Sequence, residues 1–172
     1  TGTVFTIHNI QYQGIYGFSI FDDVLGLPEY VHRVLEYDGD VNLLKGAIES
    51  SDAVNTVSPS YAQEILNPYY GHGLDQFLVQ RSYKLRGILN GIDNDAYNPQ
   101  TDESIPFHYD ADAPEGKAQD KQALLKMLGL PDNGEPVIGM VGRLVSHKGL
   151  DLVKFAADEL IQSGCKLVLL GS

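Results

Sequence analysis

VIGMVGRLVSHKGLDL, residues 137–152, passes from an apolar run into a short polar loop and then into a helical pattern. An apolar run without alternation is the mark of a strand covered on both faces. A strand is expected over 136–142 and a helix over 149–163, with Gly164 as its stop. A second apolar run, KLVLL at 166–170, is then the core of a further strand expected over 166–171. Strand, helix and strand in that order make a parallel β-α-β unit, which places the chain in the α/β class.

The loop carries two fixed cations, Arg143 and Lys148, in a chain of 172 residues with 12 basic and 23 acidic side chains and a net charge of −11. That balance argues against nonspecific binding to nucleic acid or to an anionic membrane, both of which need a basic face. It leaves room for one local anion site. The helix expected after the loop points its N-terminus at it, and free N–H groups and the helix dipole favour an anion there. The spacing matches neither the phosphate loop G-x4-G-K-[ST] nor the dinucleotide fingerprint G-x-G-x-x-G. On spacing alone, a diphosphate seat and a pair of solvated loop cations of little energetic weight both stand.

Upstream, VFTI at 4–7 reads as a short strand ending at His8-Asn9. Residues 11–39 lack a clean period and read as loop with a short helix near 29–36. Leu43, Leu44, Ala47 and Ile48 fall at helical spacing within 40–49. Residues 52–57 read as a strand. Ser58 then caps a helix, Pro59 suits its first turn, and Asn67-Pro68 ends it. A further helix is expected over 74–84 and a strand over 86–89. Residues 90–114, rich in Asn, Asp, Pro and Gly, make the natural boundary between domains. A helix over 116–128, ended by Gly129 and Pro131, follows.

Four features therefore fall just past strand ends, where ligands bind in open α/β sheets: His8-Asn9, Ser58-Pro59, Asn90-Gly91 and the Arg143/Lys148 loop. His8 is either a ligand to a sugar or acid, or a structural histidine. Asn90-Gly91 is by itself a turn signal. Tyr69, Tyr70 and Tyr97 read as packing residues rather than sugar platforms. Asp102-Glu103 and Asp110–Asp112 read as a solvated acidic face. His72 and His108 lie in loops without a partner motif. The single cysteine, Cys165, permits no internal disulfide and no cysteine metal cluster. No apolar run approaches the roughly 20 residues that cross a bilayer.

Four strings in order, TIHNIQYQG (6–14), VNTVSPSYAQEI (54–65), GILNGIDNDAYNPQTD (87–102) and GRLVSHKGLDL (142–152), together resemble the bacterial glycogen synthase and plant starch synthase family. The resemblance implies the B-type glycosyltransferase fold, with parts of two Rossmann-like domains built on parallel sheets. Residues 1–92 would be the C-terminal part of the N-terminal, acceptor-side domain. Residues 93–135 would be the interdomain segment and leading helix, and 136–172 the start of the donor nucleotide-binding domain. The chain would be an internal piece of a longer protein, inactive alone.

The activity implied is transfer of glucose from ADP-glucose to the 4-hydroxyl of an α-1,4-glucan end, with retention of configuration and without cofactor or metal. The partners implied are ADP-glucose and a glycogen or starch chain, with no nucleic acid and no membrane. The location implied is the cytoplasm of a bacterium or the plastid of a plant. Carried over by motif, Arg143 and Lys148 neutralise the donor's diphosphate, and His8 touches the donor glucose near its 6-hydroxyl. These three are the catalytic candidates; Asn9, Asn90 and Gly91 join Arg143 and Lys148 as substrate-binding candidates. Tyr97 stands where the family often has Trp, and His147 where Gln is common. The alternatives are another retaining B-type enzyme using UDP-glucose and a catalytically inactive glucan-binding or scaffolding protein.

Overall fold

The computed structural model describes residues 1–172, apart from the side chain of Ser146. The chain divides into two compact units, Thr1–Gly91 and Ile92–Ser172. The segment 93–135 falls wholly within the second.

Unit 1 contains β1 (Val4–Ile7), β2 (Ile15–Tyr16), α1 (His32–Leu35), β3 (Glu36–Tyr37), β4 (Asp40–Asn42), α2 (Leu43–Ser50), β5 (Ala53–Thr56), α3 (Pro59–Glu64), α4 (Asp75–Val79) and β6 (Leu85–Gly87). Strands β1, β5 and β6 form a parallel sheet in that order, with Ile7 opposite Thr56 and Val54 opposite Leu85. A small antiparallel sheet runs β2-β4-β3. The core is one apolar cluster in which Ile7 and Val54 from the sheet meet Leu44, Ile48, Ile65 and Leu78 from the helices.

The helix expected from residue 40 begins only at Leu43. Asn42 ends β4 and its side-chain oxygen accepts from the backbone N–H of Lys45 at 2.9 Å, a cap that sets the boundary. Leu44 and Ile48 are buried as their spacing requires, whereas Leu43 is exposed. Ser58 caps α3 by accepting from the Tyr61 N–H at 3.1 Å, and Pro59 takes the first turn. The helix expected over 74–84 is two pieces, α4 and a 3-10 turn at Ser82–Lys84. The strand placed at 86–89 sits at Leu85–Gly87. Gly87 is required there, since a Cβ would lie 2.2 Å from the Ser58 carbonyl oxygen and 2.4 Å from Pro59 Cα.

Unit 2 contains α5 (Glu115–Met127), β7 (Val137–Val141), α6 (Leu150–Gln162) and β8 (Lys166–Leu170). Strands β7 and β8 pair in parallel, Val137 opposite Lys166 through Val141 opposite Leu170, joined by α6. Gly129 and Gly164 follow their helices with φ of 67° and 89°, the left-handed ends that glycine adopts without strain. Lys166 pairs with Glu135 beside the start of β7. Leu125 is the one buried side chain of this unit among the described residues. No helix among the described residues is long and apolar enough to cross a membrane.

Candidate active site

All three strands of the parallel sheet run the same way, so the residues after β1, β5 and β6 share one edge. That edge carries His8-Asn9, Ser58 and, beyond Gly87, Asn90-Gly91. The turn after β1 is held tightly. Ile7 and Ile10 are both buried. The Thr56 hydroxyl donates to the Ile7 carbonyl at 2.7 Å, and the Ile10 N–H donates to the Tyr61 hydroxyl at 3.1 Å. His8 therefore sits on a backbone fixed at both sides, while its own ring is exposed. Asn9 is half-buried, and its side-chain oxygen accepts from the Gln11 N–H at 2.9 Å. That is an Asx turn, and it directs the chain away from the sheet.

Asn90 and Gly91 are exposed, three and four residues beyond β6, at the end of unit 1. Ser58 is taken up by its cap and by a 2.7 Å bond to the Ser60 hydroxyl, so its role is structural.

In unit 2 the chain leaving β7 stays pinned to the end of β8. Gly142 N–H donates to the Leu170 carbonyl at 3.0 Å and Leu144 N–H to that of Ser172 at 3.1 Å. A Cβ on Gly171 would fall 2.0 Å from the Gly142 carbonyl oxygen, so glycine permits this approach. Arg143 lies between these two anchors with an exposed side chain. A 3-10 turn at Ser146–Lys148 follows, and Gly149, at φ 75°, turns the chain into α6. No side chain caps α6, so its first-turn N–H groups have no side-chain acceptor. Lys148 and His147 are exposed beside that end. Among the described residues neither Arg143 nor Lys148 is paired with a carboxylate. The loop from β7 to the uncapped end of α6 thus carries two cations without a carboxylate partner, the kind of groups that bind anions.

The model of the starch synthase catalytic domain family matches residues 1–80. A glycogen synthase of Marinobacter nauticus is 48% identical over 172 residues, 99% of this chain and 35% of that protein. One from Clostridium acetobutylicum is 46% identical over 173 residues, 99% of this chain and 36% of that protein. The catalytic domain of starch synthase IV from Arabidopsis thaliana, solved bound to ADP and acarbose, matches with a TM-score of 0.89 at 38% identity, over 98% of this chain and 36% of that one. Over nearly its whole length the chain is similar to glycogen synthases and to a starch synthase. Its fold is the B-type glycosyltransferase fold, and it spans about a third of the length of these relatives.

Of the candidate residues, His8, Asn9, Asn90 and Gly91 lie in unit 1, and Arg143 and Lys148 in unit 2. The tyrosines assigned to packing are not packed: Tyr69 is 81% exposed, Tyr70 47% and Tyr97 78%. Asp102 and Asp110 are more than a solvated face. Asp102 accepts from the Ser104 N–H, and Asp110 from those of Asp112 and Ala113, so each builds a turn. These bonds hold both carboxyls below the usual carboxylate range, for Asp110 chiefly the bond from Gln100. Overlooked in the sequence was a buried polar pair, Gln13 and Asn42, which are 7% and 2% exposed. The signal for Asn42 was present, an Asn directly before an apolar helical run. Gln13 carried none.

Proposed function

We propose that the chain is part of an α-1,4-glucan synthase that transfers glucose from ADP-glucose to the 4-hydroxyl of a glucan chain end, with retention of configuration. The observation that carries this reading is that Arg143 and Lys148 stand exposed and unpaired in the loop between β7 and the uncapped N-terminus of α6, in a chain similar to glycogen and starch synthases over nearly its whole length. In the reaction the bond from glucose C1 to the β-phosphate oxygen breaks. A bond from C1 to the acceptor's 4-oxygen forms, and the acceptor's hydroxyl proton passes to the departing β-phosphate oxygen. Negative charge grows on the β-phosphate as ADP leaves. Arg143 offers a planar fork to it and Lys148 a compact charge, and both act most strongly when that charge is greatest.

His8, on its fixed turn, donates or accepts one directional hydrogen bond at the donor glucose. Asn9, Asn90 and Gly91 contribute to the sugar-facing edge. No resident cofactor or metal enters this reading; ADP-glucose is a substrate. The relative solved with ADP and acarbose supports the choice of nucleotide and of an oligosaccharide acceptor. The setting proposed is the cytoplasm of a bacterium or the plastid of a plant.

The test exchanges residues 1–172 for the matching segment of a full-length relative and measures glucose incorporation into glycogen together with ADP release. The expected result is stoichiometric transfer from ADP-glucose. A folded chimera that turns over UDP-glucose in its place, or neither donor, overturns the reading.

A further inference from the structure

We propose that Tyr61 is a positioning residue for His8: its phenol oxygen holds the exit of the turn after β1, so that the histidine is presented in one place. This rests on the reading of His8 as a contact to the donor glucose, and it gives a role in that contact to a residue on another element, α3.

The turn is clamped at two points, and only His8 and Asn9 lie between them. Before the turn, the Thr56 hydroxyl donates to the Ile7 carbonyl at 2.7 Å. After it, the Ile10 N–H donates to the Tyr61 hydroxyl at 3.1 Å. The two clamps differ in what backs them. Thr56 already stands opposite Ile7 in the parallel sheet, so its hydroxyl reinforces a register that the strands set. Ile10 has no such support. β1 has ended at Ile7, and no other acceptor meets the Ile10 N–H among the described residues. Ile10 is 1% exposed, so water does not replace the phenol, and a buried N–H left without an acceptor is costly. The Tyr61 bond is therefore the polar contact that fixes where the chain leaves the turn.

Tyr61 is suited to this because its own place is over-determined. Its backbone N–H donates to the Ser58 hydroxyl that caps α3, at 3.1 Å. Its ring packs against the apolar cluster of unit 1. Ala62 and Ile65, on the same short helix and at its end, are buried. Gly87 of β6 passes so close to Ser58 and Pro59 that a Cβ would not fit, which holds the start of α3 against the sheet. The stretch 54–65 thus supplies both clamps of the His8 turn, Thr56 and Tyr61, from a strand and a helix that are themselves fixed. A group that meets substrate needs support of this kind, since a misplacement of about 1 Å can cost on the order of 100-fold in rate.

The experiment is a double-mutant cycle of Tyr61→Phe and His8→Ala in the full-length chimera, with hydrogen exchange of the same proteins as a second reading. Tyr61→Phe keeps the ring and its packing and removes the acceptor. It should lower kcat about 10-fold and leave the KM for ADP-glucose within about twofold. In the His8→Ala background it should lower kcat no further, because the residue it positions is gone. Exchange of the segment that contains Ile10 should quicken about 10-fold, while that of β5 stays unchanged. Wild-type kcat in Tyr61→Phe, unchanged exchange at Ile10, or an equal loss of kcat with and without His8 overturns the positioning; the last is what a purely structural role predicts. The two readings fail separately. A wild-type chimera that transfers no glucose overturns the synthase reading and the positioning with it, whereas any of these three results in an active chimera overturns the positioning alone.

Discussion

His8 shows how a single residue can be poised without a partner of its own. Its neighbours Ile7 and Ile10 are buried, and bonds from Thr56 and to Tyr61 fix the turn. On the proposed function, so rigid a backbone would lose little freedom when the His8 ring meets a sugar hydroxyl. A contact that strengthens in the transition state is worth about 2–4 kcal/mol. On the proposed function, His8→Ala in the full-length chimera should therefore lower kcat while leaving the KM for ADP-glucose nearly unchanged. A raised KM with unchanged kcat would assign His8 to binding alone. Asn42 is a residue of the opposite kind, wholly internal. Its side chain caps α2 and holds Gln13. Asn42→Ala should destabilise the chain by about 1–3 kcal/mol, read as a lower thermal midpoint, because a buried amide and a helix N–H lose their partner together.

At the scale of elements, the α/β alternation was legible because each strand–helix–strand passage carries its own punctuation. Ser58-Pro59, Gly129 and Gly164 stand where the structure starts and stops helices. The illegible part was the small sheet β2-β4-β3. Two- and three-residue strands have no period to read, and Asp40–Asn42 was absorbed into the helical pattern of Leu44 and Ile48. The carboxyl edge of the parallel sheet and the cationic loop, by contrast, follow directly from strand ends.

Close approach between elements can be tested at glycine. Gly87→Ala drives a methyl into the backbone at Ser58 and Pro59 and should cost about 1–3 kcal/mol. Gly139→Ala in β7 meets nothing within 4 Å and should stay within about 0.5 kcal/mol. Equal effects in denaturant unfolding would contradict the packing described.

The joint leading into β1 and β5 gives a pH signature. Thr3 donates both its N–H and its hydroxyl to Asp52 Oδ2, at 2.7 and 3.0 Å. The backbone bond first, then the hydroxyl, holds this carboxyl below the usual range. A lowered carboxyl pKa gives stability that is fully present above the ordinary value of about 4 and is lost as pH falls through the lowered one. The difference in thermal midpoint between wild type and Asp52→Ala should be constant near neutrality and close on acidification. A gap that persists in strong acid would rule out the ionised clamp as its source.

Across the whole molecule, burial is uneven. The apolar cluster lies in unit 1, while in unit 2 Leu125 is the one buried side chain among the described residues. Phe155 and Leu170, on α6 and β8, are 92% and 66% exposed. Local opening free energy follows buried contacts. Hydrogen exchange of the 172-residue chain should therefore protect β1 and β5 far more strongly than β7 and β8. Equal protection would contradict this.

The proposed neutralisation of a departing diphosphate by the cations of unit 2 is read out in kcat/KM for ADP-glucose. It is measured in the full-length chimera for Arg143→Ala, Lys148→Ala, Arg143→Lys, Lys148→Arg and the double alanine variant. Each single alanine change should cost roughly 2–4 kcal/mol, about 10²–10³ in rate. The double loss should fall short of the sum, because the groups share one anion. Arg143→Lys should recover only part of the activity, since it keeps the charge and loses the fork. Lys148→Arg keeps the charge on an exposed side chain and should recover more activity than Lys148→Ala. Solvated loop charges would predict changes within about 0.5 kcal/mol for both alanine variants, and that result would contradict the account.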